Sequence, residues 1–131
     1  MTASKEAVLI SHILKKHGAR RDLRLWRNET ALAWVGQVKG RTPRGDVVLR
    51  RGARPIQAGL FVGSADLIGI TGPGCVGHPA GRFIFLEVKT PNTPTRKHQK
   101  AALALVRSMG GIAEIVKSVE DVTAILGEPP K

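Results

Sequence analysis

Apolar positions near the start of the chain recur with a helical period. Ile10, Ile13, Leu14 and His17 stand at i, i+3, i+4 and i+7, so a helix over residues 4–17 turns one face inward. Ser4 supplies an N-cap and Gly18 a stop. The pattern then becomes period two in Leu23-Arg24-Leu25-Trp26-Arg27, a strand. Asn28-Glu29-Thr30 reads as a turn, and Ala31–Val38 as the returning strand of a hairpin. Trp26 and Trp34 are expected to pack in the core or across that hairpin rather than to stack on bases. Residues 39–59 are rich in Gly, Pro and Arg and read as a basic loop around a short strand at Asp46–Arg50.

Two apolar strands follow, Ala65–Thr71 and Arg82–Lys89, separated by the breaker-dense loop 72–81. Thr93 as N-cap with Pro94 at the first position predicts a helix to Met109, stopped by Gly110-Gly111. Its inward stripe is Ala102, Leu103, Val106 and Met109. A closing strand, Ile112–Val116, leads to a short helix capped by Ser118 and reaching Leu126. At 131 residues with no internal repeat, this is one α/β domain.

The two central strands carry charges that buried strands should lack. Glu87 and Lys89 are two apart and share a face, and an antiparallel pairing across the loop brings Asp66 beside Glu87. Buried charges are costly unless something pairs or uses them, so Asp66, Glu87 and Lys89 form a candidate site. Glu6 lies four residues before Ile10, on the inward stripe; it can serve that site or simply favour the first-turn dipole. Gln99 sits three before Ala102 and four before Leu103, an amide on a core-facing side. Two carboxylates on adjacent strands suit a hard divalent cation such as Mg²⁺ or Mn²⁺. A lysine beside them can orient a hydrolytic water or stabilise charge on a phosphorane.

Charge narrows the partners. The formal net charge is +11; residues 1–60 hold 13 Lys/Arg against 4 Asp/Glu and residues 61–131 hold 8 against 6, a net +9 against +2. Such a surface favours nucleic acid over a purely solubilising or membrane-docking role. With no Tyr and 3 Phe there is little for single-strand stacking, so duplex or branched DNA fits better. The run Lys15–Arg21 reads as a solvated helix end that adds to this uneven charge, and the helix cations Arg96, Lys97, Lys100 and Arg107 can meet phosphate. Cys75, His78 and His98 are too scattered for a zinc site, and no glycine-rich phosphate loop or dinucleotide fingerprint is present, so no organic cofactor is expected. One cysteine, no apolar run of membrane-span length and no leader pattern in Met1–Glu6 point to a cytoplasmic protein.

Asp66 followed by Glu87-Val88-Lys89 resembles the core motif of the PD-(D/E)xK nuclease superfamily. Together with Gly63–Gly69, Gly81-Arg82-Phe83, Lys89-Thr90-Pro91, Gln99, Gly110-Gly111 and Arg27-Asn28, the chain is similar to the virus-type replication-repair nuclease (VRR-NUC) family from Glu6 to about Leu126. That resemblance implies a restriction-endonuclease-like core, a central mixed β-sheet flanked by helices. It implies a metal-dependent DNA endonuclease acting on branched DNA in replication, recombination or repair. Asp66, Glu87, Glu6 and the Val88 carbonyl would hold the metal, with Lys89 the catalytic lysine and Gln99 the helix glutamine. Ala65 departs from the superfamily's frequent Pro, and residues 39–59 align with nothing. The resemblance also implies dimeric phage enzymes working in a bacterial or phage-infected cytosol; symmetric cleavage by a one-site domain requires a twofold homodimer. The rival reading is a non-catalytic DNA-binding module on the same fold.

Overall fold

A computed structural model of the chain describes residues 3–131; Met1 and Thr2, the start of the segment read for a leader pattern, lie outside the described residues. In chain order the elements are α1 (Lys5–His17), β1 (Leu23–Arg27), β2 (Ala31–Val35), β3 (Val38–Arg41), β4 (Val47–Leu49), β5 (Arg54–Ala58), β6 (Leu67–Thr71), β7 (Phe83–Val88), α2 (Lys97–Ser108), β8 (Ile112–Val116) and α3 (Val119–Leu126). The Ser4 hydroxyl accepts from the Ala7 N–H at 3.1 Å and starts α1; the Ser118 hydroxyl does the same for Asp121 at α3.

The body is a mixed four-stranded sheet in the order β1-β6-β7-β8, antiparallel except for the parallel β7–β8 pair. Successive strand residues face opposite sides, and β7 is covered on both. Ile84, Leu86 and Val88 point into one core with Ile10, Ile13, Val122 and Leu126 from α1 and α3. Phe85 points into the other, with Ala102, Leu103 and Val106 from α2. This sandwiching explains why β7 is apolar without alternation. It also places Glu87, by the same parity, on the α2 side. Among the described residues no helix is long and apolar enough to cross a membrane.

The expected β1–β2 hairpin does not form. β1 pairs with β6, from Leu23 opposite Thr71 to Arg27 opposite Leu67. The reason is Asn28, which is a buried latch and not a turn residue. Its side-chain amide donates to Ser64 Oγ at 2.7 Å and to the Ala65 carbonyl at 2.8 Å, while its Oδ1 accepts from the Leu60 N–H at 3.1 Å. Its own N–H donates to the Asp66 carbonyl at 2.7 Å. The chain then leaves the body and returns at Leu60-Phe61, where Phe61 stacks on Phe85; no residue from Glu29 to Gly63 is buried.

This excursion is an arm of two successive two-stranded pairs, β2 on β5 near the root and β3 on β4 toward the tip, with a break at Gly36-Gln37 and residues 50–53 between them and a register shift between Val38 and Gly40 in the outer pair. The tip turns at Thr42–Asp46, where Gly45 takes φ 92° and its N–H donates to the Thr42 carbonyl at 2.9 Å. The segment read as a basic loop is therefore mostly strand. Trp34 stands exposed on the arm and Trp26 exposed on the edge strand β1, so neither packs in the core as expected.

Helix α2 begins three residues later than Thr93 as N-cap predicts. Thr93 is already used by a turn: its N–H donates to the Thr90 carbonyl at 3.1 Å and the two hydroxyls meet at 2.6 Å. Arg96 takes the N-cap position instead, and its N–H is satisfied by Gln99 Oε1 at 2.9 Å. Met109, expected on the inward stripe, is exposed just beyond the helix end.

Candidate active site

The far end of β7 opens into a cleft of about 310 Å³ lined by Glu6, Asp66, Glu87, Lys89, Thr93, Pro94, Arg96 and Gln99. All four side chains expected from the sheet and α2, and Glu6 from α1, thus share one cavity. A larger hollow of about 390 Å³ lies at the other end of β7, lined by residues 79–83 and 109–111, but holds no acidic group. The acidic groups gather at the Glu87 end.

The pairing register explains how the acids meet. One step beyond the Leu67–Leu86 pair, Asp66 stands opposite Glu87. Asp66 Oδ2 accepts from the Val88 N–H at 2.8 Å, which fixes its carboxylate on the neighbouring strand. Glu87 is buried; its Oε1 accepts from Gln99 Nε2 at 3.0 Å and lies 3.5 Å from Lys89 Nζ. Lys89 is buried too, its backbone N–H extending the ladder to the Val116 carbonyl at 2.9 Å. Gln99 does two jobs with one amide: the oxygen caps α2 and the nitrogen holds Glu87. Val88 ends β7, fully buried.

Electrostatics set the two side chains against each other. Burial, and then the Asp66 carboxylate hydrogen-bonded beside it, push the Glu87 carboxyl up to about 8 despite the opposing Lys89 ammonium. The buried Glu87 carboxyl therefore keeps its proton near neutral pH, beside the half-buried Asp66 side chain. Hard oxygen donors whose mutual repulsion a cation would relieve fit Mg²⁺ or Mn²⁺. Among the described residues no group of three or more His, Cys, Asp or Glu is arranged to hold a metal ion, so Glu6 lines the cleft without joining the pair.

Two further groups correct the sequence reading. Within the basic run, His17 and Arg20 are buried and face no phosphate. Arg20 holds Asp22 with two N–H bonds of 2.8 and 2.6 Å, and donates to the carbonyls of Gly127 at 2.8 Å and Leu126 at 3.1 Å. It also donates to the Glu128 carbonyl at 3.2 Å and, at 3.0 Å, to His17 Nδ1, so the neutral His17 points its Nε2–H at Thr123 Oγ1, 3.0 Å away. Arg107 is likewise engaged, donating to the Ala113 carbonyl at 2.7 Å and pairing with Glu114. His78 is bonded to the Ile125 carbonyl and to Arg82, and Cys75 is buried.

The sequence reading passed over Arg96 and Thr93 as cleft residues, and it placed Asn28 at a turn. The signal for Arg96 was the spacing Arg96-x-x-Gln99, in which the glutamine reaches back to cap the preceding N–H.

The site sets an unusual pH profile in metal-free buffer. Folding raises Glu87 from 4.5 to about 8, so its contribution is complete below 4.5 and lost as pH rises through 8. Burial, with Arg20 and Lys16 adding to it, lowers His17 from 6.5 to about 4, so its contribution is complete above 6.5 and lost as pH falls. Between pH 4.5 and 6.5 the two slopes oppose and largely cancel. From 6.5 to 8 only Glu87 acts, and stability falls by about 1 kcal/mol per pH unit. Thermal midpoints in EDTA should be level and then decline, whereas Glu87→Gln should rise to pH 6.5 and stay level. A wild-type midpoint unchanged above pH 6.5 would contradict the raised Glu87 carboxyl.

No family model, no curated protein and no solved structure matches this chain.

Proposed function

We propose that the protein is a Mg²⁺- or Mn²⁺-dependent DNA endonuclease with a restriction-endonuclease-like core of the VRR-NUC type. The observation that carries this reading is the convergence of Asp66, Glu87, Lys89 and Gln99, with Glu6, in one cleft from four separate elements and loops. Asp66 and Glu87 would hold the ion with the Val88 carbonyl, water completing the shell and Glu6 reaching it through water. When bound, the ion supplies charge stabilisation at a phosphate oxygen and an acidified water. The chain's own residues do the rest. Gln99 keeps the Glu87 carboxylate turned toward Asp66, and Asp66 is held by the Val88 N–H. Lys89, already buried and fixed beside Glu87, presents its ammonium to the phosphate as negative charge grows during water attack and departure of the 3′ oxygen. Arg96 at the cleft wall is placed to meet an adjacent phosphate. The substrate proposed is branched DNA, cut by a homodimer in a cytoplasmic compartment.

Labelled duplex, flap and four-way-junction DNA incubated with Mg²⁺, Mn²⁺ or EDTA tests this. Cleavage with either metal and none in EDTA is expected, with the junction cut fastest. The rival, a non-catalytic DNA-binding module, draws on the absence of a three-acid cluster among the described residues. It predicts binding of the same DNAs with no cut in any metal.

A further inference from the structure

The arm β2–β5 contributes no residue to the cleft, and none of its residues is buried. A two-stranded ribbon without a core is marginal in water by itself, so its upkeep points to a partner. Lys39, Arg41, Arg44, Arg50, Arg51 and Arg54 lie on it against a single acid, Asp46, between residues 31 and 58. Asp46 neutralises none of them; its carboxylate and N–H both engage the Thr42 hydroxyl at the tip. The ion pairs among the described residues all lie elsewhere, at Lys16, Arg20, Arg27, Lys89 and Arg107. Leu32, Trp34, Val38 and Val47 stand exposed between these cations.

We infer that this arm is a duplex-DNA clamp that lies in a groove and sets a minimum duplex length on one side of the cleft. The occupant must be anionic. A second copy of the chain is a poor candidate, because each carries a net +11 and would bring its own cations against the arm. Two strands about 4.8 Å apart with their side chains fit a major groove about 12 Å wide, where apolar side chains meet thymine methyl groups and guanidiniums meet phosphates. Thirteen residues separate Ala31 from the tip Arg44, a reach of at most roughly 40 Å at about 3.3 Å per residue, on the order of one helical turn of DNA. The root is fixed: Asn28 ties it to Ser64, Ala65 and Asp66, so the clamp is anchored beside the acidic pair. The position of the cut relative to the arm rests on the nuclease reading; binding by the arm does not.

Anisotropy in EDTA, with the full chain and fluorescent duplexes of about 8 and about 20 base pairs, tests the clamp without any cutting. Wild type should bind the longer duplex at least about tenfold tighter, with a steep salt dependence. Arg44→Ser/Arg50→Ser/Arg51→Ser should remove that gain, lower the salt slope by about two to three, and bind the short duplex as before. The corresponding triple Lys variant should restore the slope, since a point charge suffices for phosphate. Equal affinity and slope in wild type and the Ser variant would overturn the clamp. So would a sedimentation shift from dimer to monomer with affinity per protomer unchanged, which would make the arm a self-association element. Arm-dependent binding with no cleavage in any metal defeats the nuclease reading alone; metal-dependent cleavage with an inert arm defeats the clamp alone.

Discussion

Lys89→Ala should reduce metal-dependent cleavage on the order of 10³-fold while metal-free DNA binding stays within a few-fold. The side chain is buried with its ammonium 3.5 Å from Glu87, so its removal takes away the only lysine lining the cleft without touching an exposed binding surface. Lys89→Met, which keeps the apolar stem, should be equally inactive, and this separates lost charge from lost packing. Asp66→Ala should be as severe, because the pair then loses the member fixed by the Val88 N–H. Gln99→Ala is expected to cost less, roughly ten- to a hundredfold, since it positions Glu87 and does not meet the phosphate. Single-turnover assays with saturating metal decide the matter. If Lys89→Met or Asp66→Ala cut like wild type, the cleft is not the active site.

Arg20→Met should destabilise the fold by about 3–5 kcal/mol while leaving the cleft's chemistry out of the comparison. Arg20 uses every N–H of its guanidinium, on Asp22, His17 and the carbonyls that end α3. Removing it strands a buried carboxylate that this same hydrogen bond holds well below the ordinary carboxylate range. It also frees the C-terminal end of α3 from α1. Arg20→Lys should recover little, since an ammonium cannot make the two-point bond to Asp22. Urea unfolding gives the number, and a loss below about 1 kcal/mol would show the network to be incidental.

How much of this was legible depends on how local the signal was. Ser4, Ser118, the helical spacing of Ile10, Ile13 and His17, and the apolar run of β7 each act through neighbours in sequence, and each element appears where those patterns place it. Asp66, Glu87 and Lys89 were legible because a charge in an apolar strand is anomalous within a few residues. Arg20 was misread for the converse reason: a cation in a basic run looks solvated, and only its distant partners, Leu126 and Gly127, bury it.

The arm shows the same boundary. Alternation in residues 23–38 correctly marks strands, but whether β1 pairs with β2 or with β6 is settled by Asn28, whose amide reaches Ser64 and Ala65 more than thirty residues on. Sequence by itself determined the helices and strands of the body, the sandwiched strand and the acidic pair with its lysine, all consequences of periodicity and of the cost of burying charge, but not the strands of the arm. Tertiary structure decided the partner of β1, the projection of the arm, the start of α2 and the dual bonding of Gln99. Those depend on which hydrogen-bonding groups meet across the folded chain, and no local pattern encodes that meeting.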